Sequence, residues 1–368
     1  MTKIRIGIFF GGRSGEHEVS LMSAKSVLSV LDPQKYSITE IGITQAGEWW
    51  SGEQTWQRFQ NNSLDDLYRV LLLPEPGKNI LYKRENERIT PLTELDVVFP
   101  VLHGTFGEDG TLQGLFEMAD IAYVGAGVLG SAVGMDKALF KDVMRSNNIP
   151  IVDWIVATRK EAEKDIDALT KKTEALGAYP FFIKPANLGS SVGISKCKNH
   201  FELLEGIREA CRYDRRILIE KGVENAREIE ISVLGNEIPR VSLPGEIKPS
   251  DEFYSYRAKY LDNKSELIIP AFLPQETVRE IQDIAKRVYK ATDCAGMARI
   301  DFLLNSVTNQ LFVNEINTIP GFTNISMYPK LWEASGLSYR ALIDELITLA
   351  FEQKAERNRS ERKYSAQK

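Results

Sequence analysis

Ile4-Arg5-Ile6-Gly7-Ile8-Phe9-Phe10-Gly11-Gly12 is the stretch on which the fold turns. A β-rich apolar run over 4–10 is broken by two glycines, and helical spacing follows over 18–31. That order reads as strand, glycine loop, helix. A second strand is predicted at 38–43, with a turn at 45–47. The near-continuous apolar run over 96–102 suits a strand buried on both faces. Strands alternating with helices imply a parallel α/β sheet for residues 1–127. Ligands of such sheets sit at the carboxyl ends of strands, where both Gly-rich loops fall. Residues 46–94 are polar, carry Trp49-Trp50 and Pro74-Glu75-Pro76-Gly77, and read as an irregular insertion with a short hairpin.

Downstream, helical spacing covers 136–145 and 160–177, then 276–291 and 338–353. Strands are predicted at 180–184, 217–220, 229–234, 298–304 and 311–316. The last fifteen residues hold six Lys or Arg against two acids, and this basic tail is expected to fray.

A chain of 368 residues is long enough for two or three domains. Its net charge of −5 argues against a general nucleic-acid binder. No apolar run approaches the roughly 18 residues of a membrane span. The N-terminus lacks the apolar length and cleavage site of a signal peptide. Three widely spaced cysteines make neither a disulfide framework nor a Cys-rich zinc site. With three histidines, a metal here should be a hard ion on carboxylates.

The sharpest chemical signal is Ala298-Arg299-Ile300-Asp301-Phe302 with Asn314-Glu315-Ile316-Asn317. Residues two apart on a strand share a face. A turn at Asn309 favours an antiparallel hairpin, so Asp301, Glu315 and Asn317 would line one face beside Arg299. This reads as an oxygen site for Mg²⁺ or as a solvated face with an ion pair.

Phe182-Ile183-Lys184-Pro185 leads into a loop of small residues ending at Gly193, which is either a phosphate cradle or a turn. The Walker A order is absent. Ile219-Glu220-Lys221 ends an apolar strand shortly before Glu228, an arrangement able to meet a purine edge and a ribose. Glu16, in the first Gly-rich loop, either caps a helix or waits for an ammonium. His103, in the second, is compatible with simple packing. Tyr254, Tyr256, Arg257, Lys259 and Tyr260 suit a lid or a plain surface loop.

Eight segments now stand in order along the chain: GGRSGEHEVS (11–20), HGTFGEDGTLQG (103–114), MDK (135–137), KPANLGSSVG (184–193), IEK (219–221), YSYRAKY (254–260), GMARID (296–301) and NEINTIPGFTNISMYPKLW (314–332). With them the chain resembles the D-alanine–D-alanine ligases of the ATP-grasp superfamily, from residue 1 to about 350. The resemblance implies a mixed α/β and α+β, three-domain ATP-grasp fold. Its parts would be a preATP-grasp parallel-sheet domain (1–127), a central subdomain (128–220), a C-terminal domain with lid and metal site (221–353) and the tail (354–368).

It also implies site roles. Lys137 and Lys184 would contact phosphates, Glu220 and Lys221 the adenine, and Glu228 the ribose, although the connector before Glu228 is longer than in some members. Lys259 would be the lid lysine that meets the γ-phosphate. Asp301, Glu315 and Asn317 would hold two Mg²⁺ ions, with Mn²⁺ as a substitute. Arg299 and the Gly321 N–H would bind the oxyanion, Glu16 the ammonium of the first D-alanine, and Ser326 the carboxylate of the second. Ser190 and Tyr260 would bond to Glu16 and hold the lid shut.

The implied reaction is ATP-dependent joining of two D-alanines through a D-alanyl phosphate, for peptidoglycan precursors in a bacterial cytoplasm, by a homodimer without nucleic-acid or membrane partners. Tyr260, where Phe often accompanies D-lactate use, points to the dipeptide. Two alternatives are an ATP-grasp ligase for another amino-acid pair and a nucleotide-binding regulator without turnover.

Overall fold

The computed structural model describes residues 2–189, 192–248, 266–323 and 325–362. Three sheets follow one another along the chain. The first has eight strands: β1 (Ile4–Gly11), β2 (Tyr36–Ile43), β3 (Trp49–Ser51), β4 (Tyr68–Leu72), β5 (Ile80–Glu85), β6 (Arg88–Glu94), β7 (Val97–Pro100) and β8 (Ala122–Tyr123). Their order is β6-β5-β4-β3-β2-β1-β7-β8. β1 runs parallel to β2 and β7, and β7 runs parallel to β8, as the opening motif predicts. Ile6, Ile8 and Phe10 enter one core and Phe9 enters another, so β1 is buried on both faces.

Residues 46–94 contain the expected short hairpin, β5-β6, but are not otherwise irregular. They form four antiparallel strands that extend the parallel half of the sheet. Val70, Leu72 and Leu81 pack with Phe9 and Ile41, which supplies the apolar face that the local sequence only hints at. β6 closes the edge, is largely exposed and carries Pro91, a residue that an edge strand tolerates.

The second sheet, β9 (Trp154–Thr158), β10 (Phe181–Pro185), β11 (Ser195–Cys197) and β12 (Arg216–Lys221), is antiparallel in the order β11-β10-β12-β9. Phe181, Ile183, Ile217 and Ile219 face Leu203 and Ile207 of the helix His200–Tyr213, which the sequence reading does not include. The run predicted as one helix over 160–177 is two, Arg159–Lys164 and Ile166–Glu174, because Asp165 caps the second. Lys184 and Glu220 lie on the opposite face of the sheet.

The third sheet holds β13 (Ala226–Gly235), β14 (Arg240–Val241), β15 (Gly245–Lys248), β16 (Glu266–Ile268), β17 (Gly296–Asn305) and β18 (Leu311–Asn317). Its order is β16-β15-β13-β17-β18, with β14 paired to β13. Ile229, Ile231, Ile300 and Phe302 pack against Ile281, Ile284 and Val288 of the helix Gln275–Ala291. Period-two alternation then turns Glu228, Glu230, Arg299 and Asp301 to the other face.

The C-terminal helix Tyr339–Arg357 leaves this sheet and packs on the first one. Leu342, Ile343 and Leu346 join Ile6, Ile8 and Phe99. Its end corrects the expectation of a tail frayed from residue 354. The helix continues through Arg357, which pairs with Glu117 and stacks 4.9 Å from the Tyr123 ring.

Candidate active site

The polar faces of the second and third sheets meet the glycine loops of the first around a cleft of about 1120 Å³, part of it open to solvent. Glu16, Lys137, Arg299, Glu315, Asn317, Gly321 and Ser326 line it, as does Glu230, which the sequence reading did not single out. Lys184, Glu220 and Asp301 stand behind this lining rather than on it, and the structure does not bring Lys221 to it either. Lys221 ends β12 on the exposed side, with a Cβ on Gly177 falling 3.3 Å from its ammonium. Glu228 shares the cleft face of β13 with Glu230 but stands away from the lining, opposite Ile247 and Leu303. Ser190, Lys259 and Tyr260 lie outside the described residues.

Glu16 occupies the N-cap position of the helix His17–Val30 without capping it. Its carboxylate is pressed between two loops: a Cβ on Gly104 would stand 2.5 Å from it, and one on Gly189 2.6 Å. The absence of a hydrogen bond between the Glu16 side chain and the first turn removes the helix-capping reading.

His103 and Glu108 tie the second glycine loop to the segment 319–322. The Ile319 carbonyl, 3.0 Å from His103 Nδ1, can only accept, so that nitrogen carries the proton. Nε2 then accepts from the Ser23 hydroxyl at 3.0 Å, and Ser23 in turn accepts the Phe322 N–H at 3.3 Å. Burial lowers the His103 pKa, so the ring stays neutral and positions its neighbours.

Glu108 accepts the N–H groups of Gly104 (2.6 Å) and Ile319 (3.2 Å). Burial, helped by the nearby Glu16 charge, pushes its carboxyl up to about 8. A carboxyl raised above its ordinary 4.5 binds its proton more tightly folded than unfolded. Stability is therefore expected to fall as pH rises through that window. The His103 contribution is complete above its ordinary 6.5, so the fall between pH 6.5 and 8 belongs to Glu108. Denaturation curves of Glu108→Gln should be flatter there than wild type. Equal slopes would overturn this account.

A cluster of charge backs the phosphate-like loop. Lys184 Nζ is 2.5 Å from Glu220 Oε2 and donates to Asn314 Oδ1 at 3.2 Å. Lys137 donates to the Leu188 carbonyl at 2.7 Å and stands 3.9 Å from Glu315. Asn314 reaches Lys184 because of a bulge: Asp301 pairs with Glu315 but Phe302 pairs with Val313. The extra residue lets Asn314 and Glu315 both face the cleft, where strict alternation would bury one of them.

On β17, the Arg299 guanidinium grips Asp301 with two bonds of 2.7 Å and stands 3.0 Å from Glu230. Asn317 Nδ2 donates to Asp301 at 3.1 Å, leaving its carbonyl oxygen for a ligand. Among the described residues no three His, Cys, Asp or Glu side chains gather closely enough to hold a metal ion alone. Asp301, Glu315 and Asn317 nevertheless supply only oxygen on adjacent strands, which suits a hard divalent ion completed by phosphate and water. No helix of the described residues is long and apolar enough to cross a membrane.

Comparison with known proteins bears on this site. The family model "D-ala D-ala ligase N-terminus" matches residues 5–126, and "D-ala D-ala ligase C-terminus" matches 143–348. A D-alanine–D-alanine ligase of Natranaerobius thermophilus is 46% identical, over 99% of this chain and 100% of its own length. The solved D-alanine-D-alanine ligase of Coxiella burnetii is 38% identical, with a TM-score of 0.82 over 98% of this chain and 97% of that one. The VanG D-Ala:D-Ser ligase of Enterococcus faecalis is 36% identical, with a TM-score of 0.84 over 95% and 100%.

Proposed function

Because the chain belongs to the D-alanine–D-alanine ligase family and is a ligase of ATP-grasp type, we propose that it joins two D-alanines at the expense of ATP, through an acyl phosphate, at the cleft just described. One observation carries the reading. A lysine-bearing sheet faces a carboxylate-bearing sheet, and the Glu16 carboxylate closes the third side. A nucleotide polyphosphate needs the first, a hard cation the second, and an amino-acid ammonium the third.

The first D-alanine lies with its ammonium on Glu16. Its carboxylate oxygen attacks the γ-phosphorus, the bond from that phosphorus to the β,γ-bridging oxygen breaks, and ADP leaves. Two anions must approach, so Lys137 and Lys184 screen them. When bound, Mg²⁺ or Mn²⁺ on Asp301, Glu315 and Asn317 neutralises phosphate charge. We assign two such ions to this set.

The amine of the second D-alanine, its carboxylate on Ser326, then attacks the acyl carbon. The amine loses a proton and inorganic phosphate departs with the electron pair of the broken C–O bond. Arg299 and the Gly321 N–H bind the oxyanion that forms in between. Thr323 prepares Ser326: its N–H donates to Ser326 Oγ at 3.0 Å, and the two hydroxyls are 2.8 Å apart. Glu220 and Lys221 border the adenine, and Glu228 takes the ribose.

Lys259, Tyr260 and Ser190, outside the described residues, are assigned the closing of the site over the substrates. The division at 127, 220 and 353 and a homodimeric assembly belong to the same proposal.

The test is phosphate release from Mg-ATP with D-alanine, L-alanine, D-serine, or D-alanine plus D-lactate, with products separated chromatographically. D-alanine alone should give phosphate and D-alanyl-D-alanine in equal amounts. Release only with another amino acid would discard the substrate. Tyr260→Phe is expected to raise D-lactate use at the expense of dipeptide. An unchanged product ratio at neutral pH would remove Tyr260 from the account.

A further inference from the structure

The reaction above gives Lys141 no part, yet its ammonium is 1% exposed. It follows Lys137 by one turn on the helix Lys137–Ser146. Its Nζ is 2.5 Å from Glu220 Oε1, while Glu220 Oε2 is 2.5 Å from Lys184 Nζ. Trp154 lies 5.9 Å from the Lys141 ammonium, and Arg145 covers the same ring at 3.7 Å. The site is thus sealed from water on the Lys141 side and opens toward the cleft through Lys184.

Burying an ammonium is unfavourable, and Glu220 needs only one cation to be neutralised. An aliphatic side chain would fill the same space without that cost. Within this triad alone the second cation changes the charge balance: two lysines against one carboxylate leave +1, and one lysine would leave zero.

We propose that Lys141 is a positioning residue for the nucleotide phosphates: by holding Glu220, it releases Lys184 to turn its ammonium toward them. The inference rests on the ATP reading above. Without Lys141, the whole charge of Glu220 falls on Lys184. Moving Lys184 toward phosphate would then strand a buried carboxylate. With Lys141 in place, Glu220 keeps a partner throughout, and Lys184 can meet the polyanion without stranding the carboxylate.

The experiment is calorimetric binding of Mg-ATP without D-alanine, alongside KM values for ATP and D-alanine. Lys141→Met is expected to raise the Kd and the KM for ATP about tenfold. KM for D-alanine should stay near wild type. Lys141→Arg keeps a cation on Glu220 and leaves every nucleotide-binding residue in place, so its ATP affinity should stay within about threefold of wild type. A general packing role would not be served by the larger arginine in so buried a place.

Wild-type affinity in Lys141→Met, or a Lys141→Arg variant that binds ATP no better than Lys141→Met, overturns the inference. Should Lys141→Met fail to fold, Lys141→Arg decides alone: near wild-type ATP binding supports the charge account, and tenfold weaker binding overturns it. Failure of the ATP reading looks different, because the wild-type protein itself would then bind no ATP, and the inference would fall with it.

Discussion

Arg299→Met is expected to lower kcat by about 10²–10³-fold, the usual effect of losing one oxyanion donor. Arg299 is well suited to that task. Its side chain is 17% exposed, and acids flank it on both sides. Asp301 accepts from both Nε and Nη2, and the Glu230 carboxylate stands 3.0 Å from Nε, so the guanidinium plane is fixed before any substrate arrives. Lysine cannot reproduce that fork, so Arg299→Lys should keep the charge and still lose most of the rate. Glu230 and Asp301 are also a cross-strand pair, and without Arg299 their charges face each other uncompensated. Arg299→Met should therefore melt below wild type in the absence of divalent ions, and Arg299→Lys less so. Steady-state turnover and thermal melts read both effects. A kcat within threefold of wild type would end the oxyanion assignment.

Glu220→Ala should cost about 3–5 kcal/mol of stability, since it strands buried cations without a partner. Glu220 is 3% exposed and holds one lysine on each oxygen. Burial alone would raise its pKa, but Lys141 and Lys184 outweigh burial and hold the carboxyl down at about 2. A carboxyl depressed below its ordinary 4.5 adds stability at neutral pH. That stability is lost as pH falls from 4.5 toward 2. Glu220→Ala should thus be destabilised at pH 7 and converge on wild type in acid. Urea unfolding at both pH values measures the difference. A loss below about 1 kcal/mol at pH 7 would mean that the lysines shed a proton when Glu220 is removed.

Much of this architecture is legible in the sequence where local pattern and tertiary role agree. The run before Gly11 is apolar throughout because β1 is buried on both faces. Alternation over 298–302 predicts Arg299 and Asp301 on one side, and the pairing of Asp301 with Glu315 follows from a short hairpin. The strands over 46–94 are hard to read because each is short and half exposed, and their apolar face is completed by Phe9 and Ile41 from elsewhere.

The site was less legible than the fold. Asn314 escapes a period-two reading because a bulge re-aims it. Lys141 and Glu230 look like ordinary surface charges on a helix and a strand until their partners, distant in sequence, are known. A lysine four residues after Lys137, on the same helical face, was the available hint for the first. An acid two residues after Glu228 was the hint for the second.

The seating of the helix Tyr339–Arg357 on the first sheet has a consequence for biosynthesis. During translation the strands through β8 emerge hundreds of residues before the helix that covers Ile6, Ile8 and Phe99. Until then that side of the nascent sheet is covered only in part, by the helix His17–Val30. The early unit must wait half-finished, a natural client for a holdase, and it locks only when the last turns of the polypeptide arrive. Expressed alone, residues 1–127 should be prone to aggregate, and a separately supplied 339–357 peptide should bind and protect them.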